Sequence, residues 1–175
     1  MNGKVGWLGA LLALSWSGLV CAEDAAQHFI KDAVEGNLAE VKVGELAQQK
    51  GSSQGVKDFG ALLVKDHGAA NDKARQVAQT LGVTAPEAPG MKQKSMYDML
   101  KMRSQEKFDA AFVKGMVKDH QEDIAKYQKE ADSGSGPAAD YAKQVLPDLR
   151  KHLQMAQQLQ QQMGSANTAG VSQMK

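Results

Sequence analysis

The chain has 175 residues, with 21 basic and 20 acidic side chains, a balance that argues against nucleic acid or an anionic membrane surface as its main partner. Its one cysteine, Cys21, lies near the start, so the body of the chain has no disulfide framework, no thiolate metal site and no cysteine nucleophile. Aromatic residues make up only 5%, β-branched residues are sparse, and Ala, Gln, Lys, Leu and Met abound, which is helix-forming composition.

Residues 1–22 read as a secretory signal peptide. Lys4 precedes an apolar run from Val5 to about Leu14, and the segment closes on Val20-Cys21-Ala22, small residues of the kind a signal peptidase reads. The run is too short and broken for a membrane span. Cleavage after Ala22 leaves Glu23 as the mature N-terminus, a formally neutral chain without cysteine, and a periplasmic or otherwise exported protein. Lipoprotein anchoring through Cys21 is the weaker reading, because Gly18 and Val20 do not match the residues expected before a lipidated cysteine.

Four segments then carry a helical period. The first spans about Ala25 to Lys50, with a stripe of Phe29, Ala33, Gly36/Asn37, Glu40, Gly44 and Ala47 at steps of three and four. The turn Gly51 to Gly55 breaks it. The second continues to Leu81 on Val56, Phe59, Leu63, His67, Ala70, Ala74 and Val77, and Gly82 stands at its C-cap. A connector with Pro86 and Pro89 leads to a Met- and Lys-rich short helix within 91–107. The third long helix, about Lys107 to Ala131, has Phe112, Met116, His120, Asp123/Ile124 and Tyr127 in its stripe. After Asp132 to Gly136, Pro137 opens the fourth helix, which carries Ala142, Val145, Leu149, His152, Ala156 and Leu159. Pro147 inside it predicts a kink or a delayed start. Residues 164–175 lose the period and read as a disordered tail.

Two short turns and one long connector make two helical hairpins joined by a crossover with a short helix. This is the arrangement of an all-α, ferritin-like four-helix bundle over residues 23–163. An internal repeat agrees with it. Phe29 to Val41 aligns without gaps to Phe112 to Ile124, pairing Asn37 with His120 and Glu40 with Asp123, and with a two-residue gap His67 pairs with His152.

The polar residues on these stripes are the chemically informative ones. Four inward stripes bring Glu40, His67, His120, Asp123 and His152 toward one level. Burying an unpaired carboxylate costs several kcal/mol, about enough to require a partner, a proton or a metal. Gly36 and Gly44, one turn to either side of Glu40, predict space beside it. Imidazole and carboxylate ligands suit zinc, iron, manganese or copper(II). His120 and Asp123 stand one turn apart and can reach one ion, and Asp66, Asp119 and Asp148 are candidates to orient the histidines. Carboxylates are too few for a dinuclear oxygen-activating site with Glu-x-x-His ligands, which weakens a redox enzyme. The alternative to metal binding is a structural or protein-interaction bundle whose polar core is simply hydrogen-bonded. Met96, Met99 and Met102 could hold copper(I) through thioethers, but methionine is also ordinary filler. Phosphate loops, Ser-His-Asp order and nucleophile elbows are missing.

The strings FIKDAVEGNLAEVKVGELA, VKDH, KFDAAFVKGMVKDH and LPDLRKHL together resemble a widespread bacterial family of exported proteins catalogued as domain of unknown function 4142, often labelled outer membrane proteins. The resemblance covers about Gln27 to Gln161. It implies a ferritin-like fold and export, and it places the family's recurring polar positions on Glu40, His67, His120 and His152. An outer-membrane barrel does not fit, since no segment alternates as barrel strands do.

Overall fold

The computed structural model describes residues 17–172, with side-chain surroundings for 24–165. Most of the expected leader and the last three residues lie outside the described residues. The described residues form five helices and no strand: α1 (Ser17–Lys50), α2 (Gln54–Thr80), α3 (Met91–Lys101), α4 (Gln105–Ser133) and α5 (Gly136–Ser172). None is long and apolar enough to cross a membrane.

Local chemistry sets the breaks. Ser53 caps α2 by accepting from the Val56 N–H, satisfying a donor that the first turn of a helix leaves open. At the other end Gly82 takes φ +66°, its N–H bonds the Gln79 carbonyl, and the Val83 N–H bonds the Ala78 carbonyl at 2.8 Å. This is a Schellman cap, which needs a left-handed residue and hence glycine. The helix after Pro137 keeps Pro147 inside it without ending. It also runs past Gly164 to Ser172, although the sequence loses its period there. That stretch contains no proline to block the hydrogen-bond ladder, so loss of an apolar stripe does not itself stop the helix.

Side-chain contacts give the helix directions. Asp109, near the start of α4, accepts from the N–H groups of Ser52 and Ser53 in the α1–α2 turn at 2.8 and 2.9 Å. Gln27 at the opposite end of α1 donates to the Leu81 carbonyl at the end of α2, and Phe29 packs edge-on against Tyr127 late in α4 at 5.0 Å. The connector and α3 therefore travel the length of the bundle between α2 and α4. With α1 taken as up, α2 and α4 run down and α5 runs up.

The core is apolar at both ends and polar in the middle. One cluster gathers Ile30, Val34, Ala74, Tyr127, Tyr141 and Leu149. The other gathers Val43, Phe59, Leu63, Phe108, Phe112 and Met116. Between them each long helix contributes a buried polar residue: Asn37 and Glu40 from α1, His67 from α2, His120 from α4 and His152 from α5.

The glycines expected to leave space beside Glu40 behave differently from one another. A Cβ on Gly44 would stand 2.6 Å from the Gly60 carbonyl oxygen, and one on Gly60 would stand 2.6 Å from the Gly44 carbonyl oxygen. Gly44 thus lets the α2 backbone in and leaves no room. Gly36 is open, with nothing within 4 Å of a built Cβ. Because its φ is ordinary helical, Gly36→Ala is expected to raise stability by about 0.4–1 kcal/mol by restricting the unfolded chain. A urea melt showing a loss instead would mean that the space is filled in solution.

Candidate metal centre

The three expected histidines meet in the polar layer. One ring nitrogen from each of His67, His120 and His152 lies within 4.8 Å of the other two, and all three rings are buried. Their centroids are 5.2 to 5.7 Å apart.

Burial lowers the basicity of all three. The His67 pKa falls well below its usual range, through burial first and then the neighbouring rings. His120 is lowered to about 4 by burial and by His152. His152 is lowered by burial, partly offset by Asp66. Each ring is therefore neutral near pH 7 and carries one N–H and one lone pair.

The surroundings decide which nitrogen keeps the proton. His120 Nδ1 faces the Met116 carbonyl at 3.0 Å. A carbonyl only accepts, so this nitrogen donates and Nε2 is left bare. His152 Nε2 faces Asp66 Oδ2 at 3.0 Å, so it donates to the carboxylate and Nδ1 is left bare. Asn37 spends its amide on Tyr141 Oη at 2.9 Å and offers Oδ1 to His67 Nδ1 at 2.9 Å. His67 Nε2 is then bare, buried and without a partner.

Each ring thus has one nitrogen facing an acceptor and one left bare. His120 Nε2 and His152 Nδ1 approach to 3.3 Å with no proton between them in these tautomers, an unfavourable contact that a cation would turn into a favourable one. Two nitrogens bound to a tetrahedral ion at about 2.05 Å stand about 3.3 Å apart, so this spacing fits. Outer acceptors that fix the tautomer of each ring are the usual support of imidazole metal ligands.

The two expected carboxylates stand apart from this set. Glu40 is only 2% exposed, and neither carboxyl oxygen has a partner. Its pKa is raised well above the usual carboxylate range by burial, then by the charges of Asp119 and Asp123. Asp123 is a quarter exposed, lies 3.6 Å from Lys126, and is pushed up to about 6 by burial and by Asp119. A spacing of three residues turns Asp123 about 60° away from His120 around the helix. That offset places it with Glu40 and Asp119 in an acidic group outside the three-histidine set.

Of the orienting candidates, Asp66 holds His152 from the opposite hairpin, while Asp148 forms no hydrogen bond to that ring among the described contacts. Asn37 and Tyr141 went unread as site residues, although the repeat already paired Asn37 with His120. The two halves remain comparable in space: Asn37 meets His67 as His120 meets His152. Met96 packs on the core, whereas Met99 and Met102 are exposed, so the methionine stripe does not turn one face inward. His28 is exposed and near Asp32.

Fold and site define an all-helical bundle with a buried layer in which three histidines could hold a metal ion. The chain belongs to the family described as Domain of unknown function (DUF4142), whose model matches residues 20–159. No curated protein and no solved structure matches it.

Proposed function

We propose that this is an exported ferritin-like bundle that binds a divalent transition metal in its core through His67 Nε2, His120 Nε2 and His152 Nδ1, serving metal handling or stress protection in the cell envelope. The observation that carries the reading is the approach of one ring nitrogen from each of the three buried histidines to within 4.8 Å of the others, with a further nitrogen of each ring facing an acceptor. The up-down-down-up helix order with one long connector supports the ferritin-like assignment. Export rests on the leader-like composition of residues 1–22. Three imidazoles suit zinc, copper(II) or iron better than a hard, oxygen-seeking cation. A bound ion would act there as a Lewis acid, with the protein fixing the ring tautomers.

A structural polar core is the competing reading, favoured by the hydrogen bond that each ring already makes. It leaves His67 Nε2 without a partner, an expensive arrangement for a layer whose purpose is hydrogen bonding.

Asp66→Asn separates the two. The amide can donate to His152 Nε2, moving the ring proton to Nδ1, where it bonds His120 Nε2 and closes the site. Zinc affinity, measured by competition with a chromophoric chelator, is expected to fall about 10- to 100-fold while the metal-free protein keeps its stability. Equal affinity in variant and wild type would remove the ring tautomers from the account, and a wild type that binds no zinc would leave the structural reading ahead.

A further inference from the structure

His67 differs from the other two rings in what faces its outer nitrogen. The Met116 carbonyl and the Asp66 carboxylate, which face His120 and His152, only accept, so each fixes its ring unaided. His67 Nδ1 faces the amide of Asn37 at 2.9 Å. An amide has an accepting end and a donating end. Turned over, it would donate to Nδ1 and send the ring proton to Nε2. The group on the far side of Asn37 therefore matters. It is the hydroxyl of Tyr141, 104 positions away in the chain and 2.9 Å from Asn37 Nδ2. Tyr141 Oη in turn lies 3.5 Å from Tyr127 Oη. One buried residue from each long helix joins this chain: Asn37 from α1, His67 from α2, Tyr127 from α4 and Tyr141 from α5.

Such a chain has two senses. In the first, Tyr141 gives its one proton to Tyr127 and accepts from the Asn37 amide, Asn37 Oδ1 accepts from His67 Nδ1, and Nε2 stays bare. In the second, every bond reverses: Tyr127 donates to Tyr141, Tyr141 donates to Asn37 Oδ1, the amide donates to Nδ1, and Nε2 carries the proton. The structure has the first sense, with Nδ2 toward Tyr141 and Oδ1 toward His67. We infer that Tyr141 is a positioning residue of the metal centre: by accepting from Asn37 it keeps the His67 proton on Nδ1 and Nε2 free for an ion. The inference rests on the metal-centre reading above. Without the hydroxyl, the buried Asn37 amide has no acceptor on that side, and turning over to donate to His67 Nδ1 relieves the orphaned donor.

The test joins two measurements on the full chain. Long-range proton–nitrogen spectra of the metal-free protein show whether His67 Nε2 carries a proton, and competition with a chromophoric chelator gives zinc affinity. Tyr141→Phe keeps the ring that packs beside Phe29 and Tyr127 and removes only the hydroxyl. It is expected to move the His67 proton onto Nε2 and to weaken zinc binding about tenfold. Asn37→Asp supplies the rescue. A carboxylate only accepts, so in that background His67 keeps its proton on Nδ1 with or without the hydroxyl, and Tyr141→Phe is expected to leave zinc affinity unchanged. A tyrosine that merely packs would lower stability in both backgrounds without moving the proton. The same His67 tautomer in wild type and Tyr141→Phe, or an equal loss of zinc affinity in both backgrounds, overturns the inference. A wild type that binds no zinc overturns the metal centre instead, and the nitrogen spectra still decide whether Tyr141 sets the ring.

Discussion

Zinc added to the metal-free protein at about 1,000 times its dissociation constant is expected to stabilise the fold by about 4 kcal/mol, because the ion binds the native state and not the unfolded chain. For a chain of this size that corresponds to a rise in melting temperature of about 8–16 °C. The gain comes from the layer between the two apolar clusters, where His120 Nε2 and His152 Nδ1 stand 3.3 Å apart and His67 Nε2 has no partner. His120→Ala is expected to lose nearly all of the gain, since two remaining nitrogens hold the ion poorly and the unfolded chain competes on more equal terms. Thermal melts followed by circular dichroism, with and without zinc, measure both effects. A wild-type melting temperature that ignores zinc, or a shift that survives His120→Ala, would place any bound metal elsewhere.

Glu40 carries the second large effect. Its carboxyl is buried beside Asp119 and Asp123, and its pKa is raised in the folded protein. The folded chain therefore holds a proton that the unfolded chain has released. The stabilisation is complete below the ordinary glutamate value and is lost as pH rises toward the raised folded one. The slope is about −1.4 kcal/mol per pH unit while the unfolded carboxyl is ionised and the folded one is not. The histidines have the opposite sense. Their folded values are lowered, so their contribution is present above the unfolded value of about 6.5 and is lost as pH falls. Asp123, at about 6, also finishes titrating near neutrality. The part of the pH dependence that belongs to Glu40 is therefore the part that a neutral side chain at this position removes. Glu40→Gln keeps the shape, needs no proton and can donate to Asp119. Urea melts of the metal-free proteins at rising pH, from the ordinary glutamate value upward, are expected to show wild type losing stability relative to the variant. Parallel slopes would mean that Glu40 is ionised in the fold, held by a cation or a donor.

Much of this layer is legible in the sequence. His67, His120 and His152 each interrupt an apolar stripe at helical spacing, so any bundle that buries the stripes must bring the rings inward. The alignment of Phe29–Val41 with Phe112–Ile124 placed Asn37 opposite His120, and the structure puts both in the same polar layer. What a stripe does not encode is rotation within a face. Glu40 and Asp123 share the level of the histidines, but a 60° turn of the helix sends Asp123 to a different neighbour. Hydrogen bonds between hairpins are equally hidden. Asp66 adjoins His67 in the chain and serves His152, 86 residues away, because only the packing of α2 against α5 brings them together. Gly36 and Gly44 look alike in sequence, and they differ because α2 crosses α1 at one and a cleft opens at the other.

The central claim is that the three histidines of the polar layer hold an ion. Its most direct measurement is elemental analysis of the untagged protein purified from the cell envelope, beside a variant with His67→Ala, His120→Ala and His152→Ala. Near-stoichiometric transition metal in the wild type, missing from a variant that keeps its helical circular dichroism, is the predicted result and identifies the ion. Equal metal content in the two folded proteins, or none in either after incubation with zinc, copper, iron and manganese, would contradict it and make the layer a device of packing alone.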